Sequence, residues 1–153
     1  MKNIAQLPAK FTGRVSESVW VAVGGALGTL ARHGVDVAMI SKTALPLRFP
    51  WPTLLINLSG AALLGFIMAW VEESSDPPHW LRPCVAVGFC GAYTTFSTAS
   101  LEVLLMARAD HPLIALSYVA ASVAGGLLLV TLSTVLAVKI FRNPVLSSQN
   151  LQP

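Results

Sequence analysis

Charge is scarce in this sequence, and the scarcity fixes its class first. Lysine, arginine, aspartate and glutamate make up 11% of the 153 residues, against about 25% in a soluble domain. Hydrophobic residues make up 54%, and mean hydropathy is +0.67. That leaves too few polar side chains to cover a soluble core, so the composition specifies a small integral membrane protein. Cysteine is nearly absent, Cys84 and Cys90 being the only two. A disulfide framework and a cysteine zinc site are therefore not expected, and both thiols read as small apolar residues. His33, His79 and His111 are too dispersed for a metal site. Net charge is +3, yet the basic residues are scattered over termini and loops, so no nucleic-acid partner is expected. There is no nucleophile–base pair, metal triad or phosphate loop, and no enzyme is expected.

What is present is a series of long uncharged runs. The first span is expected over Ser18 to Ile40, interrupted by Arg32 and Asp36. The second falls in the 23 uncharged residues Phe49 to Val71, and the fourth in the 28 from His111 to Val138. The third begins near Trp80 and runs past Glu102 to about Ala107. Each is long enough to cross a bilayer as a helix. "KTALPLRFP", "EESSDPPH" and "RADHP" carry the prolines and charges of turns. Trp20, Trp51, Trp70 and Trp80 all fall at span ends, as an aromatic belt requires. The opening residues resemble a signal peptide, but the glycine-rich apolar run ends at Arg32 with no small-residue cleavage site, so it reads as a retained span. The expected organisation is an N-terminal segment (1–16), one four-helix transmembrane domain (17–142) and a flexible tail (143–153). Lys2, Lys10, Arg14, Arg82, Lys139 and Arg142 fall on one side, and Lys42, Arg48 and Arg108 on the other. This bias is small and permits insertion in either direction.

Polar residues inside these runs are functional candidates, because hydrocarbon offers them no partner. Arg32 either snorkels to an interface or draws anions into a wet mouth, and Asp36 follows it at the helical spacing for an ion pair. Asn57 either bonds a neighbouring helix or offers amide N–H groups to a dehydrated anion. Glu102 is either a carboxylate bonded within the bundle or a proton or cation site. Tyr118 and Ser122 lie four apart on one helix face, where hydroxyls also bond their own backbone. The densest cluster is "GFCGAYTTFSTAS", Gly88 to Ser100, in a charge-free run of 19 residues from Pro83 to Leu101. Gly88 and Gly91 weaken helix there, and Thr94, Thr95, Ser97 and Thr98 compete for backbone hydrogen bonds. A helix broken near Gly91 to Thr95 is expected, with freed backbone groups that suit a cation or an anion. Phe96 would bring the positive edge of its ring to the same place.

In order and spacing, "GGALGTLARH", "PTLLINLSGAALLGF" and "GFCGAYTTFSTAS..E" resemble the signatures of the Fluc (CrcB) fluoride channel family, over about residues 20 to 140. The third motif is the specific one. The resemblance implies an all-α membrane protein of four spans, the third broken, assembled as an antiparallel, dual-topology homodimer in a prokaryotic inner membrane. It implies passive export of fluoride through two pores. It implies a structural sodium ion held by backbone carbonyls, which here would be those of Gly91 and Thr94. It also implies that Asn57, Phe96, Ser97, Thr98, Tyr118 and Ser122 line the pore, with Arg32 in a vestibule and Glu102 as a third-helix carboxylate. The sequence departs from the pattern at one place: "TTFSTF" is usual, and Ala99 stands where the second phenylalanine is expected. The alternative is a small dual-topology, proton-coupled transporter. Transporters of the multidrug type depend on a glutamate in the first span, and none lies there.

Overall fold

The computed structural model describes residues 10–43 and 49–141, with side chains for 17–39 and 49–141. The expected tail (143–153), residues 1–9 and loop residues 44–48 lie outside the described residues, and most of the charges in the orientation count fall there or on undescribed side chains. Among the described residues every regular element is a helix. α1 spans Lys10–Thr43, α2 Trp51–Glu73, α3 Cys90–Tyr93, α4 Phe96–Arg108 and α5 Pro112–Phe141. A π-helical segment, Arg82–Phe89, leads directly into α3.

Local chemistry sets the boundaries. α2 opens with Pro52 in its first turn, where the missing N–H costs nothing. It ends where Ser74 turns extended, its N–H still donating to the Trp70 carbonyl at 3.0 Å. α4 closes with Asp110 at φ 60 and a His111 N–H donating to the Met106 carbonyl at 3.0 Å. That is the six-to-one bond of a Schellman stop. The turn folds α5 back antiparallel to α4, so residues equidistant from Asp110 face one another. Glu102 and Tyr118, eight before and eight after, are such a pair.

Glycine sets how closely the helices pack. A Cβ at Gly24 or Gly28 of α1 would run into the carbonyl oxygens of Cys84 and Phe89, and one on Gly88 would meet Val21 O at 2.5 Å. α1 and the π segment therefore touch backbone to backbone. α2 lies along α5, with Gly65 against Val130 and Ser133 and Gly125 against Leu58. One core cluster joins Leu54, Met106, Ala115 and Tyr118; a second joins Ile67, Leu81 and Ala86. Rings gather at both ends of the bundle: Trp20 with Trp80 and Trp70 with Phe141 at one, Phe49 with Trp51 and Tyr118 at the other. The outward face of α5 is aliphatic, with Leu113, Leu116, Leu127 and Leu132 exposed.

Among the described residues three helical runs are long and apolar enough to cross a membrane: Trp51–Glu73, Arg82–Arg108 and Pro112–Phe141. α1, of 34 residues, is the longest helix, but Glu17 and Arg32 bound its uncharged stretch.

Candidate functional site

The site is built around two extended residues between helices. α3 ends at Tyr93, Thr94 has ψ 157 and Thr95 has φ −145 and ψ 123, and α4 begins at Phe96. Gly88 and Gly91, expected to weaken the helix, both stay helical. The extended residues are threonines, because side chains compete there for the backbone. Thr94 Oγ1 donates to the Cys90 carbonyl at 2.8 Å, alongside the Thr94 N–H at 3.0 Å. Thr95 Oγ1 caps α4, accepting from Thr98 N–H at 3.2 Å and donating to Thr98 Oγ1 at 3.0 Å.

Asn57 of α2 holds this link from across the bundle. Its Oδ1 accepts from the Thr95 N–H at 2.8 Å, and its Nδ2 donates to the Thr95 carbonyl at 3.0 Å. Only one orientation of the amide satisfies both bonds. One of its two N–H donors is thereby committed to the backbone, and one remains for another partner. Gly60, one turn on, admits the Thr94 methyl into the space its own Cβ would fill.

These bonds release two carbonyls. In an unbroken helix the Thr95 N–H would bond Gly91 O, and the Thr98 N–H would bond Thr94 O. Asn57 takes the first donor and Thr95 Oγ1 takes the second. Gly91 is exposed, with open space where a Cβ would stand.

A second polar group lies toward the other end of α2. Glu102 Oε1 accepts from Thr53 Oγ1 at 2.7 Å, and Oε2 accepts from Tyr118 OH at 3.1 Å. Both carboxylate oxygens thus have donors inside the bundle. One turn beyond Tyr118, Ser122 Oγ is buried and makes no hydrogen bond of acceptable geometry. Ser117, in contrast, bonds its own helix at Ile114 O, 2.8 Å away.

A groove of about 420 Å³ brings together Asn57, Phe96, Ala99, Tyr118 and Ser122. Ser97 and Thr98 do not line it; both are exposed on α4, and Thr98 is tied to Thr95. Phe96 is 88% exposed in the single chain, so most of its ring is free for another surface. Arg32 and Asp36 are half-buried on α1 and do not line this groove, and no ion pair joins them among the described residues. On the far side of Asn57, a smaller groove of about 300 Å³ runs beside Gly60, Ala61, Cys90, Gly91 and Thr94. Sequence reasoning missed Thr53, and it missed the pairing of Ser59 Oγ with Tyr93 OH at 3.0 Å. Thr53 lies four residues before Asn57, on the same helix face, and that spacing was the signal for it. Thr95 was noted only as a helix breaker, and its backbone proves to be the anchor.

A profile of the family described as "CrcB-like protein, Camphor Resistance (CrcB)" matches residues 19–134. The chain belongs to the CrcB family. A relative named fluoride-specific ion channel FluC 2, from Symbiobacterium thermophilum, is 46% identical over 108 residues, covering 70% of this chain and 85% of the relative. The fluoride-specific ion channel FluC of Saccharophagus degradans is 42% identical over 121 residues, covering 78% and 88%. That of Acidobacterium capsulatum is 41% identical over 123 residues, covering 80% and 96%. With three helices able to cross, this CrcB chain is a multi-pass membrane protein.

Proposed function

We propose that this CrcB chain is a passive, fluoride-selective channel that lets fluoride leave the cytoplasm. It is not an enzyme. The relatives' names support the ion, and one local observation carries the reading to these residues. Asn57 fixes the Thr95 backbone yet keeps an N–H free on a groove it shares with Ser122. Fluoride holds its water tightly, so a path for it needs close donors that replace the shell without trapping the ion. The Asn57 amide and the Ser122 hydroxyl are such donors, and Phe96 adds a positive ring edge beside them. Tyr118 donates to Glu102 and so orders the wall of the path. Ser97 and Thr98, on the exposed face of α4, complete the path only against a second chain, as does the uncovered Phe96.

The assembly follows from the same exposure. α1 forms the fourth crossing, with Arg32 at an aqueous mouth where it concentrates anions. Two copies insert in opposite directions in a prokaryotic inner membrane and pair as an antiparallel homodimer across Gly91. The carbonyls of Gly91 and Thr94, deprived of their helical N–H partners, suit a hard cation such as sodium. Two chains would supply such carbonyls around one ion, which would neutralise their dipoles and add positive charge near the anion path.

Fluoride-electrode recordings from proteoliposomes test the function. The expected current follows the fluoride gradient and ignores an imposed pH gradient; a reversal potential that moves with pH would replace the channel by proton-coupled exchange. Asn57→Asp and Phe96→Ile are expected to abolish efflux; efflux unchanged from wild type would take both residues out of the path, and no fluoride efflux from wild type would leave the chain without a transport role. For the cation, Gly91→Ala meets no atom of its own chain. A loss of dimer on that substitution, or on replacing all sodium with a bulky organic cation, would place a partner or an ion at Gly91. Indifference to both would remove the sodium site.

A further inference from the structure

Asn57 is not the only residue of α2 that holds the broken link. Tyr93, the last residue of α3, brings its OH to 3.0 Å from Ser59 Oγ. The neighbours of Ser59 decide the direction of this bond. Its Oγ also lies 2.7 Å from Leu55 O and 3.2 Å from Ile56 O. Carbonyl oxygens only accept, so the single serine proton goes to its own helix and Tyr93 OH donates to Ser59 Oγ. The tyrosine ring is set from another side as well. It stacks on Phe89, the last residue of the π segment, with centroids 5.5 Å apart and planes 21° apart.

Three consecutive residues are thus met by three residues of α2. Asn57 holds Thr95, Gly60 makes room for the Thr94 methyl, and Ser59 holds Tyr93. At about 100° per residue, Asn57 and Ser59 lie on opposite flanks of Gly60. The link therefore crosses α2 at the glycine and is fastened on both sides of it. The two fastenings hold different things. Asn57 grips the backbone just before α4. Ser59 grips the end of α3, a helix of only four residues that contains Gly91. So short a helix is not stable by itself and takes its position from what holds its ends. With Thr95 held alone, α3 could still turn about the extended Thr94. With Tyr93 held too, the freed carbonyls of Gly91 and Thr94 keep a fixed relation to each other.

We infer that Tyr93, bonded to Ser59, is a positioning residue for the cation proposed at the Gly91 and Thr94 carbonyls. Its hydroxyl keeps the end of α3 where both carbonyls serve one ion. This rests on the cation reading above. Tyr93 lies within a run able to cross the membrane, where no water replaces a lost partner. Without the bond α3 samples positions that bind the ion poorly, and apparent affinity falls with the competent fraction.

Hydrogen exchange over residues 90–95 of the purified full chain tests this. It is read by mass spectrometry against sodium chloride concentration, with N-methyl-D-glucamine chloride holding ionic strength constant. Wild type should gain protection as sodium rises. Tyr93→Phe keeps the ring and its stack on Phe89, and should need about threefold to tenfold more sodium for half of that protection. Ser59→Ala should give the same shift, and the double variant no more than either, because all three lose one bond. Ser59→Thr keeps a hydroxyl and should stay at the wild-type midpoint. A wild-type midpoint in Tyr93→Phe, even with Tm lowered, would make the bond purely structural and overturn the inference while the cation reading stands. So would shifts that add in the double variant, since Tyr93 would then act without Ser59. Wild-type exchange indifferent to sodium would remove the cation site and this inference with it.

Discussion

Replacing Asn57 by alanine removes both side-chain bonds to Thr95, at 2.8 and 3.0 Å, and leaves the Thr95 N–H and carbonyl without partners. An unsatisfied buried backbone group costs about 1–3 kcal/mol. Two such groups give about 2–6 kcal/mol, and both grooves beside Asn57 admit some water, so the lower end of that range applies, about 2–3 kcal/mol. For a chain of this size each kcal/mol moves Tm by about 2–4 °C, so a fall of about 4–12 °C in detergent is expected. Asn57→Asp is more informative. It keeps the acceptor for Thr95 N–H but faces a second oxygen at the Thr95 carbonyl, and it adds a charge within the span. That charge alone costs about 2.5–3.5 kcal/mol at mid-membrane. Amide hydrogen exchange at Thr95, read by NMR or mass spectrometry, separates the two bonds. Alanine should accelerate that exchange strongly, whereas aspartate should leave the amide protected even as Tm falls. If Asn57→Ala left both Tm and Thr95 exchange at wild-type values, the amide would not be what holds the extended link, and the account of the freed carbonyls would fall.

Three other measurements bear on the architecture. Thr53→Val and Tyr118→Phe each take one donor from Glu102 and should cost about 1–3 kcal/mol in unfolding; because they share one carboxylate, the double variant should depart from additivity by about 0.5–3 kcal/mol, and strict additivity would mean the two bonds are not coupled. Gly24→Ala and Gly28→Ala press a methyl into the π-segment backbone and should destabilise by about 1–3 kcal/mol or more, whereas Gly126→Ala, which meets open space in a helix, should gain about 0.5–1 kcal/mol; equal effects at all three would contradict the close packing. Asp110→Gly should raise Tm slightly and Asp110→Val should lower stability by about 1–2 kcal/mol, because φ 60 is easy for glycine and strained for a β-branched residue; matching melts would show that the turn is not left-handed in solution.

The order of these results matters for the function. Asn57 appears in two roles, since the amide that fixes Thr95 also faces the groove. A loss of efflux in Asn57→Asp therefore needs the exchange measurement beside it. Protected Thr95 with lost conduction would assign the loss to the groove, while an unprotected Thr95 would assign it to the collapsed link.

The sequence by itself determined the class of this protein and the stretch where its polar chemistry gathers. Hydropathy and charge are sums over neighbouring residues, so the uncharged runs could be read without knowing what packs where. They located α2 and α5 to within a few residues, and of the four spans expected, three are helical runs long and apolar enough to cross among the described residues. The CrcB motifs were legible for the same reason, being short and contiguous. Geometry that depends on distant partners was not. Nothing local says that Asn57 bonds a backbone 38 residues away, or that Thr53 reaches Glu102 across 49. The glycines of "GFCGAY" looked like the breaking residues, yet Gly88 serves contact with α1, and Thr94 and Thr95 take the extended conformation instead. The π segment went unseen, because a helix widened by one residue per turn leaves no separate mark in composition. Only the packed bundle decided which hydroxyls bond their own helix, as Ser117 does, and which meet another, as Thr53 and Tyr118 do. A hydroxyl in hydrocarbon must bond something, and its own preceding turn is always within reach. Whether a better acceptor stands opposite is a property of two helices, and the sequence prints them one at a time.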